Sequence, residues 1–515
     1  MRIEEYLRNS TGRYGAKTAL VADGRRLSYA EISDLSDRLA ASLMDRGLAK
    51  GDRVLVFMEN TWEAAISIFA VWKAGGVLCP TNPSVKAGRL SFVIRNCRPT
   101  AVIAQGKLAG VVAEATANTQ TVPQVILTTP HAALPEALDF ETCLEATSRP
   151  MPGEMSEDDL AIIIYTSGST GEPKGVMMAH SNMDAAAGSI VGYLENTDDD
   201  IILNVLPMAF GYGLYQLLMS VRLGATLVLE KSFAFPAAIF QRIRDERATG
   251  FPLVPSMVAM MLQMRDFDPA YLASLRYMTN AAAALPVAHL AQIRALLPHV
   301  RFYSMYGLTE CTRGTWLPPQ ELDRRPGSVG IAIPGTCAAV VDETGATVPA
   351  GVTGELVISG PHLMLGYWEN PEATKRALRP DPVTGKIRLH TGDLFRTDAE
   401  GFLYFVARKD DIIKSRGEKV APKEVEAVLY ALPGVVEAIV IGVPDAVLGQ
   451  AVKALVVSSD PDLTEQEVIR HCARNLENFM VPKSVEFRAS LPKTDSGKLS
   501  RRLAAAVPEQ TGPSQ

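Results

Sequence analysis

The chain of 515 residues is 47% hydrophobic and 21% charged, a balance typical of globular proteins that excludes a disordered chain. Because a single hydrophobic core usually stops growing at about 250–300 residues, we expect two or more domains. The formal net charge of −6 argues against a broad nucleic-acid-binding surface, which depends on clustered lysines and arginines that neutralise phosphates.

Strand-like and helix-like patterns alternate through the first part of the chain. Short apolar runs of the strand type are followed by longer stretches with helical periodicity. The predicted strands lie at 53–57, 100–104, 125–128, 201–206 and 226–229, and the predicted helices at 30–46, 61–74, 237–248 and 286–297. This alternation predicts doubly wound, largely parallel sheets.

The pattern changes after Gly327 to short β-like segments separated by glycine and proline, which predict a small β-barrel-like subdomain at 327–408. These segments lie at 338–342, 354–359 and 402–406. Further elements are predicted as a helix at 422–431, strands at 435–442 and 451–457, a helix at 464–476 and a strand at 484–487. We therefore predict an α/β fold with a large N-terminal domain, residues 1–408, and a small α+β C-terminal domain, residues 409–515.

Several features of the sequence bear on its compartment. The first six residues contain two glutamates where a signal peptide needs an apolar core, and no apolar run reaches the roughly 18 residues of a membrane span. The six cysteines are scattered, without a CxxC pair or a Cys/His spacing that suits a metal. We expect a soluble, cytoplasmic protein with reduced thiols.

A buried apolar strand at 162–165 leads into a loop rich in glycine and hydroxyl groups, residues 166–174, which we call the phosphate loop. Glycines let backbone N–H groups approach an anion, the hydroxyls donate further hydrogen bonds, and a lysine supplies positive charge. The predicted ATP contacts in this loop are Thr166, Ser167, Gly168, Ser169, Thr170, Gly171 and Lys174.

The phosphate loop differs from a Walker A loop, because Pro173 precedes Lys174, Gly175 follows it, and 176–179 reads as another strand rather than a helix. Taken by composition alone, the segment would also fit an ordinary flexible hairpin loop.

The run Tyr165-Thr-Ser-Gly-Ser-Thr-Gly-Glu-Pro-Lys-Gly-Val176 resembles the signature of the adenylate-forming superfamily. That superfamily comprises acyl-CoA synthetases, peptide-synthetase adenylation domains and beetle luciferases. Segments resembling its other motifs follow in order and span nearly the whole chain, which is most similar to stand-alone AMP-forming acyl or aryl acid ligases. The resemblance implies ATP and Mg²⁺ as cofactors, with coenzyme A or a phosphopantetheine carrier as co-substrate.

Tyr306-Gly-Leu-Thr-Glu310 resembles the Tyr-Gly-x-Thr-Glu motif of the superfamily. The resemblance implies that the ring of Tyr306, next to Gly307, packs on adenine, and that Thr309 holds the α-phosphate. Glu310 would reach the magnesium ion, with Thr166 as the second predicted metal contact. Taken alone, the motif would fit a strand-end turn with a core tyrosine equally well.

Residues 280–286 resemble the small-residue turn that lies against adenine and the acyl pocket, where the superfamily more often has glycines. The resemblance assigns Asn280 and Ala281 to the acyl pocket and Ala282 and Ala283 to ATP. A helix N-terminus capped by Asn280, or simple packing, is the alternative.

Asp393, in Thr391-Gly-Asp393, resembles the acid that accepts hydrogen bonds from both ribose hydroxyls, and Arg408 resembles the second ribose contact. Ala407 stands where the superfamily usually has glycine. Without the motifs around them, a surface salt bridge would account for both residues.

Three positions in the C-terminal part complete the resemblance. Asp410 falls at the interdomain hinge, Gly417 on the face presented to the thiol, and Lys498 in the motif of the catalytic lysine. Without the superfamily these segments would be charged surface turns and a surface lysine.

Attack of a carboxylate on the α-phosphorus of ATP brings two anions together, so the site must neutralise negative charge more than it must supply a base. The resemblance assigns Lys498 to the carboxylate and bridging oxygen, and the phosphate loop to the departing pyrophosphate. The C-terminal domain would then rotate about Asp410 and admit the thiol.

Residues 206–214 resemble the segment that gates the acyl pocket, with Phe210 where many ligases have histidine. Amino-acid adenylation domains carry an aspartate for the substrate ammonium where this chain has Gly211. A buried ammonium without a partner would be costly, which favours an acid lacking an α-amino group. Small residues leave room for a fatty or an aryl chain bounded by Phe210 and Tyr212, and the sequence does not choose between them.

No carrier domain follows Lys498 in this sequence, so we expect the thiol of free coenzyme A or of a separate carrier protein. The alternatives are a stand-alone amino-acid adenylating enzyme, a P-loop ATPase or kinase, a luciferase-like oxygenase and a non-catalytic nucleotide-binding protein. The oligomeric state stays open.

Overall fold

A computed structural model describes residues 1–117, 119, 123–149, 153–167, 173–264, 267–281, 283–415, 418–445, 448–494 and 499–506, with the backbone alone at 167, 419 and 449. Within these ranges, none of the helices has the length and apolar character needed to cross a bilayer.

Strands and helices alternate in the first part of the chain. The elements are α1 (Glu4–Tyr14), β1 (Thr18–Ala22), β2 (Arg25–Ser28), α2 (Tyr29–Asp45), β3 (Arg53–Phe57), α3 (Trp62–Lys73), β4 (Val77–Thr81), α4 (Ala87–Cys97), β5 (Ala101–Ala104), α5 (Ala109–Thr116), β6 (Gln124–Leu127), β7 (Leu138–Asp139) and α6 (Phe140–Cys143). The Ser28 side chain accepts a hydrogen bond from the Glu31 N–H and fixes the start of α2 as a capping box.

The middle of the chain continues the alternation. Its elements are β8 (Leu160–Ser167), β9 (Pro173–Ala179), α7 (His180–Leu194), β10 (Ile201–Asn204), α8 (Gly211–Leu223), β11 (Thr226–Leu229), α9 (Pro236–Glu246), β12 (Gly250–Leu253), α10 (Pro255–Gln263), β13 (Tyr277–Asn280), α11 (Val287–Leu296), β14 (Arg301–Tyr306) and β15 (Thr315–Trp316). β10 ends two residues before the predicted end, because the Asn204 side chain bonds to the backbone of Leu206 and closes a turn.

The last part of the chain is richer in antiparallel strands. Its elements are β16 (Ile331–Ala332), β17 (Cys337–Val341), β18 (Gly354–Ser359), β19 (Gly366–Tyr367), α12 (Pro371–Ala377), β20 (Leu378–Pro380), β21 (Ile387–Thr397), β22 (Leu403–Arg408), β23 (Ile413–Ser415), β24 (Glu418–Val420), α13 (Pro422–Tyr430), β25 (Val435–Asp445), β26 (Gly449–Ser458), α14 (Glu465–Asn475), β27 (Ser484–Phe487) and α15 (Arg501–Ala506). Short 3-10 helices lie at Gly106–Leu108, Pro269–Leu272, Pro319–Glu321 and Lys409–Asp411.

Two large sheets with parallel centres form the N-terminal part. One has the order β16-β15-β14-β13-β12-β10-β11-β1-β2, and the other the order β19-β9-β8-β4-β3-β5-β6-β7. β3 and β4 are almost wholly buried and apolar, as parallel strands covered on both faces are. The predicted doubly wound α/β architecture is confirmed.

The predicted subdomain at 327–408 contains an antiparallel sheet of β17, β18, β21, β20 and β22. Two strands of this range behave differently from the prediction: β16 extends the first large sheet and β19 extends the second. β19 pairs directly with β9, which carries Lys174, and β16 reaches β14, which leads into the Tyr306 motif, through β15.

The C-terminal part has its own sheet, in the order β24-β23-β26-β25 with β27 beside β26. Its hydrophobic core lies between this sheet and the helices α13 and α14, with Val425, Leu429, Val468 and Cys472 buried. The predicted helices and strands of this part are confirmed to within three residues at each end.

Candidate active site

The phosphate loop connects β8 to β9, which pair as an antiparallel hairpin with Thr166 opposite Lys174. Gly175 lies so close to the ring of Tyr165 and the side chain of Ile163 that a Cβ would stand 2.7 Å from Ile163. A glycine directly after the lysine is therefore required for this strand pairing.

Tyr367 connects the phosphate loop to the predicted metal residue. Its hydroxyl donates a 2.7 Å hydrogen bond to Oε1 of Glu310, and the Lys174 ammonium lies 5.3 Å from the centre of its ring. Burial, followed by the charge of Glu310, raises the pKa of Tyr367 far above its ordinary value, so the hydroxyl remains a donor. Tyr367 therefore contacts Lys174 through its ring and Glu310 through its hydroxyl, although these two residues lie far apart in the chain.

The Tyr306–Glu310 motif begins where β14 ends and forms a tight loop with the residues before β15. The Gly314 N–H donates to the Tyr306 carbonyl at 2.9 Å. Gly307 packs against the backbone of this loop, and a Cβ there would stand 2.6 Å from the carbonyl oxygen of Thr312. Thr309 and Glu310 are half-buried at the edge of the loop.

Asp393 lies between two predicted nucleotide residues. The Tyr306 hydroxyl donates to Oδ2 at 2.6 Å and the Arg408 Nε to Oδ1 at 3.0 Å. The antiparallel register of β21 and β22 sets Asp393 opposite Arg408. We call these three residues the nucleotide face; Asp393 is 4% exposed, while the Arg408 side chain is 58% exposed.

The predicted hinge follows Arg408 without a break. Asp410 is exposed in the 3-10 helix Lys409–Asp411. Lys409 donates a 2.9 Å hydrogen bond to Glu355, which also accepts from the His390 ring at 3.0 Å and from the Gly392 N–H at 3.0 Å. Glu355 therefore fixes both the start of the hinge and the turn before Asp393.

The segment after the predicted catalytic lysine is also tied to the hinge. Arg501, at the start of α15, donates to Asp411 at 2.9 Å and to the buried Glu426 at 2.5 Å. Its Nε donates to the Val440 carbonyl at 3.2 Å. These bonds hold the chain that follows residue 498 against the first residues of the C-terminal part.

The predicted acyl-pocket residues come from two elements. Phe210 and Gly211 begin α8, and Tyr212 in its first turn hydrogen-bonds with Oγ1 of Thr279 at 2.7 Å. Asn280 ends β13 and Ala281 follows it, both buried, and Asn280 donates to the Ala283 carbonyl at 3.1 Å.

The turn after β13 tests the helix-cap interpretation of Asn280. The helix that follows, α11, begins at Val287 after Pro286, without a side-chain cap. The alternative of Asn280 as a helix cap is wrong, because its amide closes the turn instead.

The acyl side also contains Arg313, whose guanidinium lies 5.0 Å from the centre of the Tyr212 ring. Among the residues whose placement is described, the Arg313 Nε and the Asn280 Oδ1 are buried and lack hydrogen-bond partners. We call Tyr212, Thr279, Asn280 and Arg313 the acyl face.

Glu310 offers a carboxylate beside the ring that contacts Lys174 of the phosphate loop. Its Oε1 accepts from Tyr367, and its Oε2 forms no hydrogen bond with any other described residue. No group of three or more His, Cys, Asp or Glu side chains that could hold a metal ion occurs in the described ranges, and all six cysteines are free.

Some predicted site residues lie outside the described residues. They are Gly168, Ser169, Thr170, Gly171, Ala282, Gly417 and Lys498, together with the side chain of Ser167.

Four residues near the site were not identified from the sequence: Tyr367, Glu355, Arg501 and Arg313. The only local signal was the position of Arg313, three residues after Glu310. The other three reach the site through pairings between strands or helices that lie far apart in the chain.

Comparisons with known proteins cover almost the whole chain. A family model described as AMP-binding enzyme matches residues 7–368, and one described as AMP-binding enzyme C-terminal domain matches residues 424–498. A long-chain-fatty-acid–CoA ligase of Escherichia coli is 31% identical over 525 residues, which cover 96% of this chain and 92% of that ligase.

Solved structures give the same result. ATP-bound MatB from Rhodopseudomonas palustris is 30% identical with a TM-score of 0.88, and the apo form of MatB has a TM-score of 0.77, each covering 98% of both chains. A benzoate CoA ligase from Burkholderia xenovorans is 26% identical with a TM-score of 0.88, covering 98% of this chain and 99% of that one. The chain therefore belongs to the AMP-binding enzyme family and is an AMP-forming ligase that joins a carboxylic acid to a thiol.

Proposed function

We propose that residues 1–408 bind ATP and the acid, that residues 409–515 carry the catalytic lysine, and that Asp393 and Arg408 hold the ribose. The observation that carries this proposal is the bonding of Asp393 to both Tyr306 and Arg408. A buried carboxylate held by two donors is positioned before any ligand arrives. A carboxylate suits the two hydroxyls of a ribose, because each of its oxygens can accept more than one hydrogen bond.

The phosphates of ATP would lie along the phosphate loop, with Lys174 facing the β- and γ-phosphates and Thr309 the α-phosphate. The carboxylate of the acid attacks the α-phosphorus, an acyl–phosphate bond forms, and pyrophosphate leaves. Lys498 would neutralise the charge shared by the two anions during this step. The bonds of Arg501 to Asp411 and Glu426 support this role, since they restrain the chain just after Lys498.

We assign Mg²⁺ to Glu310 and Thr166. Oε2 of Glu310 accepts no hydrogen bond from the residues that the structure describes, and a hard carboxylate oxygen beside a phosphate site suits this ion. When bound, the ion would neutralise phosphate charge, and Tyr367 would orient the carboxylate by its bond to Oε1.

The second half-reaction would pass the acyl group to coenzyme A. Coenzyme A is favoured over a carrier protein because the ligases that this chain resembles are named as CoA ligases. Asp410 would serve as the hinge and Gly417 would face the incoming thiol. The described chain resembles ATP-bound MatB more closely than apo MatB, which favours an adenylate-forming arrangement of the two domains.

The acid would lack an α-amino group. Gly211 offers no carboxylate for an ammonium, and the cation of Arg313 lies over the ring of Tyr212, where it would repel one. With amino acids disfavoured, the substrate would be an aliphatic or aromatic acid whose reacting carboxylate faces the phosphate loop.

ATP–pyrophosphate exchange tests this function. The full-length enzyme with Mg²⁺ and ATP should exchange labelled pyrophosphate only when a suitable acid is present, and Lys498→Ala should lower the rate at least about 100-fold. Lys483→Ala is the matched control, because Lys483 is an exposed lysine of the same domain that pairs with Asp445. Release of phosphate instead of pyrophosphate, or exchange that needs no acid, would contradict the proposal.

A further inference from the structure

Arg313 is a buried cation. The residue is 3% exposed, and its Nε has no hydrogen-bond partner among the residues that the structure describes. Across the same part of the chain, no aspartate or glutamate forms an ion pair with it. Arg325, which is also deeply buried, instead pairs with Glu321, Asp398 and Glu400.

The groups around Arg313 are aromatic and neutral. Its guanidinium lies over the face of Tyr212, with Tyr193 and Tyr215 also within electrostatic reach. Burial raises the pKa of Tyr212 to about 12 and raises that of the other two tyrosines further, and Arg313 only partly offsets these shifts. The ring face of Tyr212 therefore stabilises the cation, Tyr193 hydrogen-bonds with it, and none of the three neutral tyrosines supplies negative charge.

The backbone of Arg313 lies beside the nucleotide motif, and its guanidinium lies at the acyl face. A Cβ placed on Gly307 would lie 2.9 Å from the Cα of Arg313, so the side chain begins beside the residues predicted to hold the α-phosphate. The other end of the side chain lies over Tyr212, which hydrogen-bonds to Thr279 next to Asn280. A group bound by this guanidinium would lie within one side-chain length of the reacting centre.

An unpaired guanidinium is costly to bury, and the cost is removed when a carboxylate arrives and accepts two parallel hydrogen bonds. Arginine suits this task better than lysine, because its planar fork matches the two oxygens of a carboxylate. A plain alkyl chain would leave the cation unpaired in an apolar pocket.

We propose that Arg313 binds a second carboxylate of the acid, so that this enzyme activates a dicarboxylic acid at one end and recognises it at the other. This inference rests on the proposed function, whose acyl pocket it specifies. The spacer between the two carboxylates would be short, either a few methylene groups or one aromatic ring. Arg313 is then a specificity-determining residue, and long unsubstituted fatty acids are poor substrates.

Matched pairs of acids test the proposal. Hexanoate is compared with hexanedioate, and benzoate with benzene-1,4-dicarboxylate, in ATP–pyrophosphate exchange by the full-length enzyme. The wild type should prefer the diacid of at least one pair by at least about tenfold in kcat/KM. Arg313→Met should lower kcat/KM for that diacid at least about tenfold and leave the monoacid unchanged or improved. Arg313→Lys, which keeps the charge, should retain part of the preference.

Arg222→Met is the matched control, because Arg222 also lies over a tyrosine ring but is paired with Asp184. Its diacid-to-monoacid ratio should equal that of the wild type. Wild-type preference for both monoacids, or an unchanged ratio in a folded Arg313→Met, would overturn the second-carboxylate site and leave adenylation standing. If Arg313→Met does not fold, the wild-type ratio decides the question. Absence of exchange with every acid would instead overturn the proposed function itself.

Discussion

The nucleotide face and the acyl face of the site differ in how their polar groups are partnered. On the nucleotide face, the buried Asp393 holds hydrogen bonds from both Tyr306 and Arg408. On the acyl face, the Nε of Arg313 and the Oδ1 of Asn280 are equally buried and lack partners among the described residues. The buried carboxylate of the nucleotide face thus has protein partners before a ligand binds, whereas these two buried polar atoms of the acyl face have none among the described residues.

This difference corresponds to what each face must recognise. ATP is the same in every adenylating ligase, so rigid groups held by the protein reduce the cost of ordering the site around it. The acid differs between ligases, and an unpartnered buried group penalises every acid that fails to satisfy it. We therefore propose that the nucleotide face supplies the binding energy common to all acids and that the acyl face discriminates between them.

We expect the largest effect of these variants from Asp393→Asn. It tests whether the nucleotide face contributes equally to the reaction of every acid. The substitution keeps the size of the side chain but removes the charge that accepts the ribose hydroxyls. We expect kcat/KM for ATP to fall about 100-fold, by the same factor for every acid, in ATP–pyrophosphate exchange.

Asp398→Asn is the control, since Asp398 also accepts from an arginine and a tyrosine, Arg325 and Tyr404, and belongs to no predicted nucleotide contact. Its rates should stay close to those of the wild type. A loss in Asp393→Asn that varies from acid to acid would show that the two faces are not separate.

Asp410→Pro tests whether the nucleotide face is coupled to a moving domain. Proline restricts the backbone beside Arg408, so rotation about the hinge should be hindered while the adenylating arrangement remains. We expect thioester formation to fall about 30-fold and pyrophosphate exchange by less than about threefold. Equal losses in the two half-reactions would show that Asp410 is not the hinge.

Local patterns were sufficient to predict the strands and helices that carry the site. β3, β11, β18 and β27 occupy the predicted residues, because buried apolar runs between polar turns leave little choice of boundary. The positions of Tyr306, Asp393 and Arg408 followed from their motifs, and the structure brings these three side chains together.

Long-range pairings could not be predicted in the same way. Tyr367 reaches Glu310 only because β19 pairs with β9, and nothing near residue 367 in the sequence indicates that partner. In the sequence, Arg313 lies between Thr312 and Gly314. Such small neighbours are typical of a turn and suggest an exposed charge. Its burial depends on three tyrosines that come from α7 and α8.

Tyr367→Phe tests a contact that sequence reasoning missed on the phosphate side of the nucleotide face. The substitution removes the hydrogen bond to Glu310 and keeps the ring beside Lys174. We expect pyrophosphate exchange to fall about tenfold and the Mg²⁺ concentration for half-maximal rate to rise. Tyr404→Phe, which loses a hydroxyl bond to Asp398, should change neither quantity. An unchanged Mg²⁺ requirement in Tyr367→Phe would remove Tyr367 from the metal site.

Glu355→Gln has the smallest expected effect and acts on the support behind the nucleotide face. Burial alone would raise the pKa of Glu355, but hydrogen bonds from His390, Lys409 and the Gly392 N–H outweigh it and lower the pKa to about 2. A carboxylate with a lowered pKa stabilises the fold above its ordinary pKa of 4.5, and this contribution is lost as the pH falls from 4.5 toward 2.

The free energy of unfolding of Glu355→Gln should therefore be lower than that of the wild type at pH 7, and the two should converge as the pH approaches 2. Urea unfolding at a series of pH values measures both curves, with the exposed Glu372→Gln as control. Parallel curves for Glu355→Gln and the wild type would show that this carboxylate is not held in its charged form. Convergence would show that the nucleotide face is kept in place by a charged group behind it. Among the described residues, no carboxylate pairs with Arg313 on the acyl face, which is why we expect a carboxylate of the substrate to pair with its cation.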